Sequence, residues 1–268
     1  MTLATGYYTF GGISLHNGRS WNVRLLSPSE GLQRRGENIA LPGITGQTHV
    51  DKYFDQRELT LALVVTGEVS RQPPSAEVLA ANLAILQGLF AADGQSTLTR
   101  KRGTRTESAL AECVNLNVVP RGPLHADMIV DLLLADPLWY DTTQQVTTLP
   151  FSSVPYSGTV NNPGSYRSEK FVATITCGAS TSITNPQIAI GSTWVKYTGT
   201  VSAGQSLQID VGNFTATKAG SSVISAITWD QGQARWLLLQ KGSNTIQVTA
   251  DGISNTPTLY VTFYPPYV

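Results

Sequence analysis

The sequence is short of charge. Only 13% of its 268 residues are Asp, Glu, Lys or Arg, against about 25% in an ordinary globular chain. Its 18 basic and 18 acidic residues cancel, so no global positive excess argues for nucleic-acid binding. Disorder needs low hydrophobicity and high net charge, whereas 41% of this chain is hydrophobic. Near-zero net charge favours association and suits a chain that lives in an assembly. Cysteine is as sparse. Cys113 and Cys177 make neither a disulfide framework nor a zinc site and are expected as two buried thiols in separate strands. No stretch approaches the roughly 20 apolar residues of a membrane helix. The opening MTLATGYYTFGGISL lacks a basic n-region and a continuous apolar h-region, so it is not expected to be a signal peptide.

The residues of catalysis are scarce too. His16, His49 and His125 have no histidine or cysteine at helical or strand spacing, and a zinc site takes about four ligands. There is no Gly-x-Ser-x-Gly elbow and no Walker loop. No histidine follows His125, so a Ser-His-Asp triad cannot lie within the second half. The carboxylates there are Glu169, Asp210, Asp230 and Asp251. A glycosidase needs two such groups flanking its bond, but Asp210 and Asp230 end or follow strands, where a turn role is as natural. No enzyme, cofactor or metal is expected.

What is present falls into two unlike halves. Residues 1–150 carry a net charge of −2, and 151–268 carry +2 and are rich in Ser, Thr, Gly and Asn. The stretch 142–157, with Pro150 and Pro155, reads as a linker between a domain over 1–141 and another over 158–268. In the first, Leu59, Leu61, Leu63 and Val65 alternate with Thr60, Ala62, Val64 and Thr66, the period of a strand. Leu110–Val118 alternates similarly, and Met128–Leu134 is more uniformly apolar, as in a central or interfacial strand. A helix is predicted over 75–92. Ser75 is its N-cap after Pro73-Pro74, Leu79, Leu83, Leu86 and Phe90 form its stripe, and Val78, Ile85 and Leu89 widen it. Asp93-Gly94 marks the stop. The second half reads as all-β, with strands at 170–177, 187–190, 194–197, 206–211, 214–218, 223–229, 235–239, 245–250 and 259–264.

Two features invite a binding role. The run Arg100-Lys101-Arg102-Gly103-Thr104-Arg105 reads as a hairpin tip. Arg100, Lys101, Arg102 and Arg105 are candidates for a subunit interface, with a solvated loop and phosphate contact as alternatives. Trp194 and Trp236, among the aromatics of the second half, are candidates for carbohydrate contact, with a core role as the alternative.

Several stretches, taken in order, resemble the distal tail protein of long-tailed, siphovirus-type bacteriophages. They are LPGITG (41–46), YFDQRELTL (53–61), the helix and hairpin, and ADPLWY (135–140). NPGSY (162–166), ITNP (183–186), AGQSLQID (203–210), RWLLL (235–239), GSNTI (242–246) and FYPPY (263–267) follow. The resemblance spans nearly the whole chain. It implies a mainly β protein: a tail-tube-like β-sandwich with one helix, then a galectin-like, jelly-roll β-sandwich. It further implies a homo-hexameric ring at the tail tip of the virion, assembled in the host cytoplasm. That ring joins the tail tube and tape-measure protein to the tail-tip hub and receptor-binding proteins, and DNA passes through without specific binding or membrane insertion. Galectins hold sugar with a histidine, which the second half lacks, so that mode of sugar binding is not implied. The alternative function is a carbohydrate-binding adhesin that contacts the host envelope through its C-terminal domain.

Overall fold

Period-two alternation sets the long strands of the first half. The computed structural model describes residues 7–26, 33–35, 53–69, 73–232 and 236–268, and the chain divides between Trp139 and Tyr140 into two units. The first unit contains β1 (Tyr8–Phe10), β2 (Ile13–Ser14), β3 (Trp21–Leu26), β4 (Arg57–Thr66), α1 (Ala76–Phe90), β5 (Ser96–Arg102), β6 (Arg105–Gly122) and β7 (His125–Leu134). Its sheet runs β2-β1-β5-β6-β7-β4-β3. In β4 the odd positions Leu59 to Val65 are buried, and in β7 so are Met128, Val130, Leu132 and Leu134. Leu59 faces Leu132, Leu61 faces Val130 and Leu63 faces Met128, so facing apolar pairs stabilise one side of the sheet. Met128–Leu134 is central, but it alternates: Ile129, Asp131 and Leu133 on its other face are half-buried.

β6 has two successive partners. Ala111 pairs with Ser96 of β5, and Glu112 pairs with Leu133 of β7. The register shifts between Cys113 and Asn115, and such a bulge bends and twists its strand.

The helix starts where Ser75 Oγ accepts the Val78 N–H at 3.1 Å. Leu79, Leu86 and Phe90 are buried, and Phe90 stacks on Phe10 with ring centroids 5.1 Å apart. The stripe is narrower than its sequence suggests, because Ile85 is 50% exposed. Asn82 is buried instead. Its amide donates to the Thr66 and Glu68 carbonyls at 2.8 and 3.3 Å, satisfying a buried polar group and tying α1 to the end of β4. The helix ends at Phe90, with Ala91 as C-cap in a right-handed conformation. Gly94 does take a positive φ of 83°, but beyond the cap.

The second unit is built of two main sheets. One runs Gln145–Pro150, Thr258–Phe263, Phe171–Thr176, Ser206–Asp210, Thr215–Lys218, Ser221–Ser222. The other runs Tyr156–Asn162, Gly242–Thr249, Gln187–Ile190, Thr193–Tyr197, Ile227–Trp229. Ala173, Ile175, Leu207 and Val261 of the first share one core with Ile188, Val195, Ile246 and Val248 of the second, which makes a β-sandwich.

The stretch expected as a linker, 142–157, differs. Gln145–Pro150 is an edge strand along Thr258–Phe263, and Tyr156 opens a strand of the other sheet. Leu149 and Phe151 are buried and draw the segment into the core. Pro150 is tolerated because an edge strand has no second neighbour to bond. Residues 223–229 are a short 3-10 turn, Ile224–Ala226, followed by Ile227–Trp229. Of the strand expected at 235–239, Arg235 lies outside the described residues, and Leu239 makes only an isolated bridge to Ser168.

Truncating the core is expected to cost far more than truncating the helix surface. Leu132→Ala should destabilise the chain by about 2–5 kcal/mol, and Ile85→Ala by no more than about 0.5 kcal/mol. Urea unfolding of both variants checks the contrast.

Candidate functional site

The β5–β6 hairpin turns at Gly103-Thr104, with Gly103 at φ +66°. Strand parity separates Arg100 from Lys101, and Arg102, of the same parity as Arg100, is exposed because it ends the strand at the turn. Arg100 shares the inward face of Leu98, while Lys101 and Arg102 are exposed. Glu107 sits opposite Arg100 and is fully buried. Arg100 Nε donates to Glu107 Oε2, and Arg105 Nε donates to Oε1, both at 2.7 Å. Arg105 Nη2 adds a second bond to the same oxygen. The Arg100 guanidinium also lies 4.1 Å from the Trp139 ring centroid, a cation–π contact.

Three of the four candidate interface residues therefore have partners within the chain: Arg100 and Arg105 on Glu107, and Arg102, whose Nη1 donates to the Val268 carbonyl at 3.4 Å. Arg100, 3% exposed, is not available to a neighbouring subunit, and Arg105 is half-buried against Glu107. Lys101 and Arg102 remain at the surface. The sequence held the clue: Arg100 has the parity of Leu98, and Glu107 that of Ala109 and Ala111.

The tryptophans separate as well. Trp236 is 2% exposed and packs against Trp229 and Phe214, with centroids 5.9 and 5.5 Å away. It belongs to the core and offers no platform to a sugar. Trp194 is half-buried on its strand. Asp210 accepts from the backbone and side-chain amides of Asn213 at 3.0 and 2.8 Å. Asp230 accepts from the Gly232 N–H at 3.1 Å. Both carboxylates thus brace turns.

Among the described residues no three His, Cys, Asp or Glu side chains group to hold a metal ion. His49 and the LPGITG stretch lie outside the described residues. Cys177 is buried and Cys113 half-buried, and burial pushes both thiols up, away from the reactive thiolate. On the outer face of β4, β6 and β7, Asp131 accepts from Thr60 Oγ1 at 2.7 Å and Asn115 Nδ2 at 3.0 Å. These bonds, that of Thr60 foremost, hold its carboxyl below the ordinary value. Sequence reasoning missed a cavity of about 340 Å³ in the second unit, lined by Gln144, Lys170, Asp210, Asn213, Thr262 and Tyr264 among others. Its residues come from four separate segments, and no motif joins them.

No protein family's profile matches the chain, and no curated protein is similar to it in sequence. Solved structures are more informative. The SPP1 phage Dit (gp 19.1) protein, described as a paradigm of the hub adsorption apparatus in phages that infect Gram-positive bacteria, superposes with a TM-score of 0.69. The match covers 96% of this chain and 98% of that one at 17% identity. The two proteins share a fold. Weaker likenesses, each with a TM-score of 0.44, are to the phage p2 baseplate in its activated conformation with strontium, at 11% identity, and with calcium, at 10%. Both cover 93% of this chain and 92% of theirs.

Two outcomes test this geometry. Glu107→Ala removes the carboxylate that both guanidiniums bond, one of them buried, and is expected to cost about 3–5 kcal/mol. Lys101→Glu should change stability by no more than about 0.5 kcal/mol, and chemical denaturation reads both. Because the folded pKa of Asp131 is depressed, its contribution to stability is present above the ordinary value of 3.8 and is lost as pH falls through the folded pKa. In Thr60→Val, an NMR titration should show the Asp131 pKa moving back toward 3.8.

Proposed function

We propose that the chain is a non-enzymatic structural hub of a phage tail tip. The observation that carries this reading is the end-to-end fold likeness to the SPP1 Dit protein, which spans both units rather than one. The low charge, 13% of residues, fits a surface that meets other proteins. In this reading six copies close a ring through the first domain, 1–141. The second domain, 158–268, is galectin-like in this reading. The ring joins the tail tube and tape-measure protein to the tip hub and receptor-binding proteins, lets DNA through, and resides in the virion after assembly in the host cytoplasm.

A ring repeats one heterologous interface around its axis. The exposed pair Lys101 and Arg102 is the part of the basic hairpin that supplies it, set against an acidic neighbour. The net charge of −2 over residues 1–150 gives an assembled ring an acidic bias, which disfavours phosphate binding as DNA passes. The adhesin alternative loses one of its two supports with the burial of Trp236.

Size exclusion with light scattering, followed by negative-stain imaging, tests the proposal. The expected particle is a closed ring of six 28.8 kDa subunits. Lys101→Glu combined with Arg102→Glu should abolish the ring while leaving the fold intact by circular dichroism. Long stacked tubes would favour a tail-tube subunit instead. A monomer that stays monomeric with tail-tube and tape-measure proteins present would overturn the hub reading.

A further inference from the structure

The cavity beside Asp210 is built from the segments around Gln144, Lys170, Asp210–Asn213 and Thr262–Tyr264. At about 340 Å³ it falls at the small end of ligand sites, which span roughly 300–1,000 Å³. Its walls narrow the choice of ligand. One carboxylate and one ammonium offset each other, so neither a free anion nor a free cation is favoured. The two amides and the threonine hydroxyl present both donors and acceptors. Tyr264, 46% exposed, adds an aromatic ring with an apolar face. A compact, neutral ligand that carries many hydroxyls and one apolar face matches that set. We propose that this cavity is a saccharide-binding subsite, sized for a pyranose ring.

The site is set before any ligand arrives. Asp210 and Asn213 are fixed to each other by bonds of 3.0 and 2.8 Å. The carboxylate keeps unused lone pairs, and the Asn213 carbonyl oxygen is left to accept. The turn that carries them closes on Phe214, whose φ of +53° lies in the left-handed region that bulky residues avoid. An edge-on contact with the buried Trp236 ring, 5.5 Å between centroids, holds it there. Gly212 lets the same turn lie close to Lys170, because a Cβ at that position would come within 3.2 Å of the Lys170 Cα. The Lys170 ammonium sits 5.5 Å from the Tyr140 ring centroid, which steadies it at the rim. Groups ordered in advance lose little freedom on binding. The sequence-level candidates Trp194 and Trp236 do not line this cavity, and the proposal stands for a hub and for an adhesin alike.

Saturation-transfer NMR on the full-length chain tests it, with galactose, glucose, N-acetylglucosamine and rhamnose as probes. Transfer to at least one of them is expected, with a dissociation constant of roughly 1 mM, as for a contact worth about 4 kcal/mol. Tyr264→Ala and Asp210→Asn should each weaken it about tenfold, and Trp194→Ala should leave it unchanged. Should Asp210→Asn fail to fold, Tyr264→Ala and Lys170→Ala carry the same comparison, since both side chains are exposed. Absence of transfer from all four sugars would overturn the proposal. So would binding that survives the cavity variants, or that is lost only in Trp194→Ala. None of these results depends on ring formation, so the subsite can fail while the hub reading stands, and the reverse.

Discussion

Strand β6 pairs with β5 as far as Ala111 and with β7 from Glu112 onward, and this exchange joins the two halves of the first unit's main sheet. A strand that changes neighbours must bend, and the register shift beside Val114 supplies the bend. On the near side of it, small inward residues, Ala109 and Ala111, leave room for the core. Further out, the same inward face receives Glu107 and the guanidinium of Arg100. A carboxylate with no exposure is tolerated only with partners on both oxygens, and Arg100 and Arg105 provide them. The stem of the hairpin is thus pinned to the interior, while at its tip Lys101 and Arg102 are exposed, Arg102 reaching the Val268 carbonyl.

Much of this was legible in the sequence. The alternation in β4, the Ser75 cap and the core stripe of α1 follow from period and from turn chemistry, both local properties. The mainly β character with one helix followed from the same signals. Other features depend on which strands meet, and local patterns do not carry that. Pro150 and Pro155 made 142–157 look like a spacer, yet Leu149 and Phe151 belong to a core supplied by residues a hundred positions away. Ile85 looked like part of the helix stripe, whereas Asn82 holds the buried place and donates to the carbonyls of Thr66, the last residue of β4, and of Glu68 beyond it.

The candidate site shows the same divide. Four basic residues clustered in sequence read as one surface, but adjacent residues of a strand point to opposite sides. Parity assigns Arg100 inward and Lys101 outward, and the acidic partner seven residues on confirms the pairing. Trp236 was ambiguous because aromatic side chains serve cores and sugar platforms equally well, and its contacts with Trp229 and Phe214 decide for the core. The polar cavity was invisible because its walls are drawn from distant segments of one sandwich.

The division of the basic hairpin has an evolutionary consequence. Arg100, Glu107, Arg105 and Trp139 form one interlocked group, so a change in any of them requires compensating change in the others. Lys101 and Arg102 carry no such debt to the interior. A lineage can rewrite those two positions one mutation at a time and so adjust what the tip meets, without disturbing the fold that presents it. Substitution at those two positions is thus freed from the constraint that holds the stem, and the architecture can persist while the tip changes.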